Sequence, residues 1–398
     1  MAFSISHSSL RLSPIAPHQR FIRASSHDNN SVLSIKNKIK SPNFPSKSST
    51  DKLIFPVGLY GENQFSKSLS YGKDRRNNIR ASFEAQPADS KTTLAKVSRF
   101  GSTCYKFLRP YAMSHTVASA IGLFARVLVD NPQFLKWSVV LKAFPGLIAM
   151  ILATAYYIGI NQIYDADIDR VNKPYLPIPS GELSLKQAWF LVISDLLAGL
   201  LILRLMNADL ITTSLYCAGL FLGTFYSAPP LRFKESSFQT SIVNPLMAGI
   251  LHNIGVLYAS TVSLGLPFNL SSPPVVFIVI FITLYFIVIT NLKDLTDIEG
   301  DIKHNIRTLP AIFGPRKTTF FFAGILLATY VGSMAAGICM PQAFRPYVMV
   351  PAHAILGALT FFKVRKLDKA NYSMEESADF YQFLWKILCL EFVIFPFI

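Results

Sequence analysis

The sequence predicts an all-α membrane protein with about nine transmembrane helices. Three observations predict it. Apolar residues make up 51% of the 398-residue chain and charged residues only 15%, whereas soluble proteins carry about a quarter charged residues. Mean hydropathy is positive, at +0.37. From about residue 110 onward, long apolar runs alternate with short polar links, and most runs approach the roughly 20 residues that a helix needs to cross a bilayer. None alternates in polarity from residue to residue, which argues against a transmembrane β-barrel.

The first 82 residues have another character. They hold 13 Lys/Arg against four acids (Asp28, Asp51, Glu62, Asp74), so most of the net charge of +15 sits here. They contain 17 serines and no continuous apolar run. A secretory signal needs such a run, whereas an organelle transit peptide is Ser-rich, basic and acid-poor. The segment opens Met1-Ala2-Phe3-Ser4 without an Arg-rich amphipathic helix, so a plastid address is predicted for 1–82, with a solvated tail as the alternative. Residues 83–109 read as a linker, and 110–398 as the membrane domain. Within it, spans are predicted over 110–130, 139–162, 187–206, 209–228, 241–263, 274–292, 318–340, 347–362 and 380–398. The first is interrupted by His115 and Arg126, and the eighth is short. No Lys/Arg stripe interleaved with aromatics suggests nucleic-acid binding. Cys104, Cys217, Cys339 and Cys389 are too scattered for a metal or disulfide framework. No obligate protein partner is inferred.

The acids of the membrane domain concentrate in two windows, each directly after an apolar run. The first is Asn161-Gln162-Ile163-Tyr164-Asp165-Ala166-Asp167-Ile168-Asp169, and the second is Asp294-Leu295-Thr296-Asp297-Ile298-Glu299-Gly300-Asp301. On a helix, Asn161, Asp165 and Asp169 fall at i, i+4 and i+8 on one face, and Asp297 and Asp301 form an i, i+4 pair with Asp294 close by. Like charges at that spacing repel, and more so at a membrane edge. A cation would offset the repulsion. Carboxylates with an Asn carbonyl are hard oxygen donors, and Mg²⁺ takes its remaining ligands from water and phosphate. The bland reading is a pair of solvated helix caps. A third segment, Tyr226-Ser227-Ala228-Pro229-Pro230-Leu231-Arg232-Phe233-Lys234, ends a span at the Pro pair and leaves Arg232 and Lys234 in a loop. There they could hold phosphate oxygens or act as positive-inside anchors.

These three segments, with Asn172-Lys173-Pro174-Tyr175-Leu176-Pro177 after the first, resemble the UbiA superfamily of intramembrane prenyltransferases. Gln162 makes the chain resemble the plant homogentisate prenyltransferase branch, the solanesyltransferase type in particular. The resemblance runs through Pro351-Ala352-His353 and Lys369-Ala370-Asn371-Tyr372 to the C-terminus. It implies nine helices around a central cavity, with two facing acidic motifs. It implies Mg²⁺ held by Asn161, Asp165 and Asp169 and by Asp297 and Asp301 with Asp294, of which Asp165, Asp169, Asp297 and Asp301 would be catalytic. Arg232, Lys234 and Lys173 would grip the diphosphate of a prenyl donor, and an aromatic phenol would be the acceptor.

The chain departs from the solanesyltransferase pattern at Asn244-Pro245-Leu246-Met247, Ala248-Gly249 and Lys303-His304-Asn305-Ile306-Arg307. These departures leave the donor motifs whole and point to a specialised phenolic acceptor, such as a coumarin, flavonoid, stilbenoid or phenolic acid. A homogentisate acceptor is the alternative. His252, Asn253 and Tyr258, on a span without charges, are the candidate acceptor-binding residues, with helix-to-helix hydrogen bonding as the competing role. Polar breaks at matching places in two halves also occur in secondary transporters, which is the alternative of another class.

Overall fold

The computed structural model describes residues 90–296, 298, 302 and 308–398, all within one unit spanning Phe83–Ile398. Among the described residues every regular element is helical, and nine stretches are long and apolar enough to cross a membrane. Helix α1 covers Ser90–Phe107, α2 Pro110–Asp130, α3 Trp137–Tyr164, α4 Ala166–Asn172, α5 Leu185–Leu205 and α6 Leu210–Ser227. The fifth span is composite. It runs through α7 (Ser237–Asn244), a π-helical segment (Pro245–Leu251) and α8 (His252–Ser263). Then follow α9 (Pro273–Leu292), the short α10 (Leu309–Phe313), α11 (Pro315–Cys339), α12 (Pro346–Lys369) and α13 (Met374–Ile394).

Local chemistry fixes the helix starts. Proline stands in the first turn of α2, α9, α11 and α12, where its missing N–H costs nothing. Ser184 and Gln187 form a reciprocal capping box on α5, and Asp209 caps α6 through Thr212 N, a contact worth about 1 kcal/mol. Helix α6 ends at Ser227, before the cis Pro229-Pro230 bond.

Two segments differ from what the sequence suggested. The eighth span continues to Lys369 as α12, because Lys363 and Lys366, which break the apolar pattern, pair with Asp379 and Glu376 at the start of α13. The linker predicted over 83–109 is largely helix α1. Its end is docked: Phe107 is buried, Lys106 meets Glu182 at 3.0 Å, and Gln162 Nε2 donates to the Phe107 carbonyl at 2.6 Å. That helix carries no long apolar run, so hydropathy alone does not reveal it.

Packing divides into two cores. One joins Phe281, Tyr285 and Ile289 of α9 to Tyr330 of α11, Leu356 of α12 and Leu388 of α13. The other joins Tyr156 and Ile160 of α3 to Val192 of α5 and Leu220 of α6. Helix α2 packs against α3, α8 and α13, so the first span meets the last. A cavity of about 670 Å³ lies among α2, α3, α6, the π segment and α8.

Candidate active site

The acidic end of α3 is built from its last turn. Helical hydrogen bonding continues through the break, from Asp165 N to Asn161 O and from Asp169 N to Asp165 O, so the three residues predicted to share a face do so across a slight bend at Asp165. Asn161 Nδ2 donates to Asp165 Oδ2 at 2.9 Å and to Ser227 Oγ at 3.3 Å. The Lys234 ammonium reaches over from the loop after α6 and donates to Asp165. Asp169 is buried and lies 3.9 Å from the Arg109 guanidinium. Burial pushes the Asp169 carboxyl above the usual carboxylate range, with Lys173, Arg109 and Lys234 pulling the other way. Burial likewise lowers the Lys234 ammonium from its ordinary value, against the bond to Asp165.

The other predicted site residues are distributed as follows. Lys173 caps α4 and acts on Asp169 through its charge. Arg232 pairs with Glu235 at 2.9 Å. Arg232 is half-buried while Glu235 is exposed, and a pair with one member in solvent is worth about 1 kcal/mol or less, so Arg232 can exchange its partner. Asp294 follows α9 in a short 3₁₀ turn, with Lys293 Nζ 3.7 Å from its carboxylate. Asp297, Asp301 and the segment Lys303-His304-Asn305-Ile306-Arg307 lie outside the described residues. Among the described residues no three His, Cys, Asp or Glu side chains group as metal ligands. The donors that are present still suit a hard cation. Asp165 is a carboxylate that already attracts a positive group, Asn161 keeps its Oδ1 beside it, and Mg²⁺ needs only one or two protein carboxylates when a phosphate supplies the rest.

The cavity reaches Ile158 of α3, about one helical turn from Asn161, and Met247 and Ala248 of the π segment. Of the three candidate acceptor residues only His252 lines it. Its Nε2 lies 2.7 Å from Ser119 Oγ. Asn253 is off the wall. Its Nδ2 donates to the carbonyls of Ala248 at 3.0 Å and Gly249 at 2.7 Å, in the π segment just before α8. Tyr258 is also off the wall, donating to Asp209 Oδ2 at 2.7 Å with its ring against Phe268. The competing role, helix-to-helix hydrogen bonding, describes Tyr258, whereas Asn253 bonds within its own span. His115 and Trp385 line the cavity instead. For His115 the signal was an ionisable residue inside an apolar run, whereas Trp385 carried none.

A bundle of apolar helices around a cavity, with acids and a lysine near one end, can hold an apolar chain whose charged head meets those groups. Residues 118–387 match the UbiA prenyltransferase family, and the chain belongs to that family. It is 40% identical to the chloroplastic homogentisate solanesyltransferase of Arabidopsis thaliana, over all of both chains. It is 39% identical to the chloroplastic 2-acyl-4-prenylphloroglucinol 6-prenyltransferase of Humulus lupulus, over 86% of this chain and 84% of that one. A solved UbiA homologue from Archaeoglobus fulgidus bound to GPP and Mg²⁺ has the same fold, with a TM-score of 0.53 at 19% identity over 74% of this chain and 98% of that chain. The protein is thus an aromatic prenyltransferase and not a secondary transporter.

Proposed function

We propose that this chain is a Mg²⁺-dependent enzyme of the plastid membrane that moves a short prenyl group, of five or ten carbons, from an allylic diphosphate to a ring carbon of a specialised phenol. The observation that carries the donor half is the junction of Asn161, Asp165 and Lys234 one turn from an apolar cavity. Lys234 and Arg232 bind the diphosphate from the loop after α6, and Lys173 adds charge beside Asp169. Asn161, Asp165 and Asp169 would hold one cation, and Asp297 and Asp301 with Asp294 would hold the other. Mg²⁺, when bound, would neutralise the charge that grows on the departing pyrophosphate.

The carbon–oxygen bond of the donor breaks, and its electron pair leaves on pyrophosphate. A ring carbon of the phenol supplies the pair for the new carbon–carbon bond, and the ring proton is then lost. The apolar walls keep water from the allyl cation. The acceptor proposal rests on the departures at Asn244-Pro245-Leu246-Met247 and Ala248-Gly249, which run from the end of α7 into the π segment, whose Met247 and Ala248 border the cavity. Full-length identity to a homogentisate solanesyltransferase favours a second reading, in which homogentisate is the acceptor. Residues 1–82 deliver the chain to plastids, in keeping with relatives named chloroplastic.

Membranes containing the full chain, given an allylic diphosphate and a panel of phenols, should release pyrophosphate and form a C-prenylated product only with Mg²⁺. Absence of both products with every acceptor would overturn the reading. A long prenyl chain passed efficiently to homogentisate alone would select the second one.

A further inference from the structure

The face of α3 that carries Asn161 continues down into the cavity. Tyr157, Thr154, Ala153 and Met150 all line it, and positions i−4, i−7, i−8 and i−11 share one side of a helix with Asn161. A prenyl tail whose diphosphate meets the junction of Asn161, Asp165 and Lys234 therefore passes Tyr157 first. Asn161 and Tyr157 are four residues apart, or about 6 Å on a helix. A five-carbon unit, with four carbons in line, covers about that length. The second unit is the one that must clear the Tyr157 ring.

That half-buried ring stands aside because α6 gives it a seat. A Cβ added at Gly223 would come 2.3 Å from its Cδ1, 2.6 Å from its Cε1 and 3.1 Å from its Cγ, and one added at Gly219 would come 3.1 Å from its hydroxyl. Contacts that short force something to move. Because three ring atoms are met, including Cγ, turning the ring about its own axis gives no relief. The two helices are pinned together. Tyr156 Oη lies 2.7 Å from Thr224 Oγ1, and the Tyr216 hydroxyl donates to the Ala149 carbonyl at 3.0 Å, both joining α3 to α6. Tyr156 also stands edge-on to the Tyr157 ring at 6.1 Å and closes another side. The side left open is the cavity.

We infer that Gly223 is a specificity-determining residue for the length of the prenyl donor. By seating Tyr157 against α6 it leaves a passage for a second five-carbon unit, and a larger residue there would turn the ring into that passage and restrict the donor to five carbons. The inference rests on the donor half of the proposed function and adds the point along the cavity where tail length is read.

The test measures binding to the full chain in detergent, with Mg²⁺, of the S-thiolodiphosphates of dimethylallyl and geranyl chains. These analogues ionise poorly, so no acceptor is needed. The wild-type chain should hold the geranyl analogue about 10-fold tighter or more, because five further carbons are buried. Gly223→Val should abolish that advantage with little change in the affinity for the dimethylallyl analogue. Combining Gly223→Val with Tyr157→Ala should restore it, since the shortened side chain no longer reaches the passage. Tyr157→Trp, too large for the seat, should reproduce the loss with Gly223 intact, which keeps the test open if Gly223→Val fails to fold. A merely structural role for Gly223 would weaken both analogues alike. That outcome overturns the inference, as does a geranyl advantage absent from the wild type, kept in either folded single variant, or not regained in the double variant. Failure of both analogues to bind the wild-type chain would instead overturn the donor reading beneath it.

Discussion

The Lys234 ammonium donates to the Asp165 carboxylate, tying the loop after α6 to the end of α3. One lysine thus occupies the acid expected to meet a metal, while standing where a diphosphate would arrive. Removing it should act on two ligands in opposite directions. Lys234→Met should raise the donor KM about 10-fold, since a charge-assisted contact is lost. It should also lower the Mg²⁺ concentration needed for half-maximal rate, because Asp165 no longer has a competing cation. Steady-state rates over a grid of donor and Mg²⁺ concentrations check both; an unchanged donor KM would count against the assignment.

Asp165→Ala and Asp169→Ala should each reduce turnover about 100-fold or more, the scale of losing a main electrostatic stabiliser. Equal protein level, measured on the same membranes, makes the comparison fair. Near-normal turnover in both would remove the acidic cluster from the mechanism.

Asn253→Ala should behave as a structural lesion. Its amide satisfies the Ala248 and Gly249 carbonyls, and orphaning a buried acceptor costs about 1–3 kcal/mol. The melting temperature in detergent should fall while the acceptor KM of the surviving enzyme stays within about twofold. A raised acceptor KM without loss of stability would return Asn253 to the binding site.

Gly249 packs against α9. A Cβ there would come within 2.6 Å of Thr283 Cα and Oγ1, and the backbone atom cannot step aside. Gly249→Ala should lower thermal stability, overpacking typically costing about 1–3 kcal/mol. Gly332→Ala on α11 meets nothing within 4 Å and should be neutral or mildly stabilising. Thermal melts of the two variants side by side provide the check.

His353 and Glu391 are both fully buried, with Nε2 and Oε1 3.4 Å apart between α12 and α13. Breaking a buried pair leaves one group uncompensated, at about 3–5 kcal/mol. Glu391→Ala should therefore cut the yield of folded protein, and combining it with His353→Leu should restore part of it. Yield after detergent extraction, read by size-exclusion chromatography, distinguishes the single from the double variant.

The spans were legible in the sequence because a bilayer imposes length and apolarity on each helix separately. The Asn161–Asp165 stripe was legible for a similar reason, since it depends on spacing within one helix. What hydropathy missed depends on distant partners. Helix α1 is recognised by where Phe107 and Lys106 dock. Trp385 joins His115 only through the meeting of the first and last spans, which no local pattern encodes. Asn253 and Tyr258 lie off the cavity wall because their polar atoms turn to Gly249 and Asp209, partners that no spacing within the span specifies.

The π segment Pro245–Leu251 changes the counting rule within one span. Each i→i+5 ring encloses one residue more than the α-helical ring, so the span stores an extra residue midway. An α-helical wheel drawn from Ser237 onward is out of phase after Leu251 by about 100°, the angle of one residue at 3.6 per turn. The span is in effect written in two reading frames. Comparison with a sequence that forms a plain α-helix here would need a one-residue gap between 245 and 251, and an ungapped alignment would match every face of α8 to the wrong neighbour.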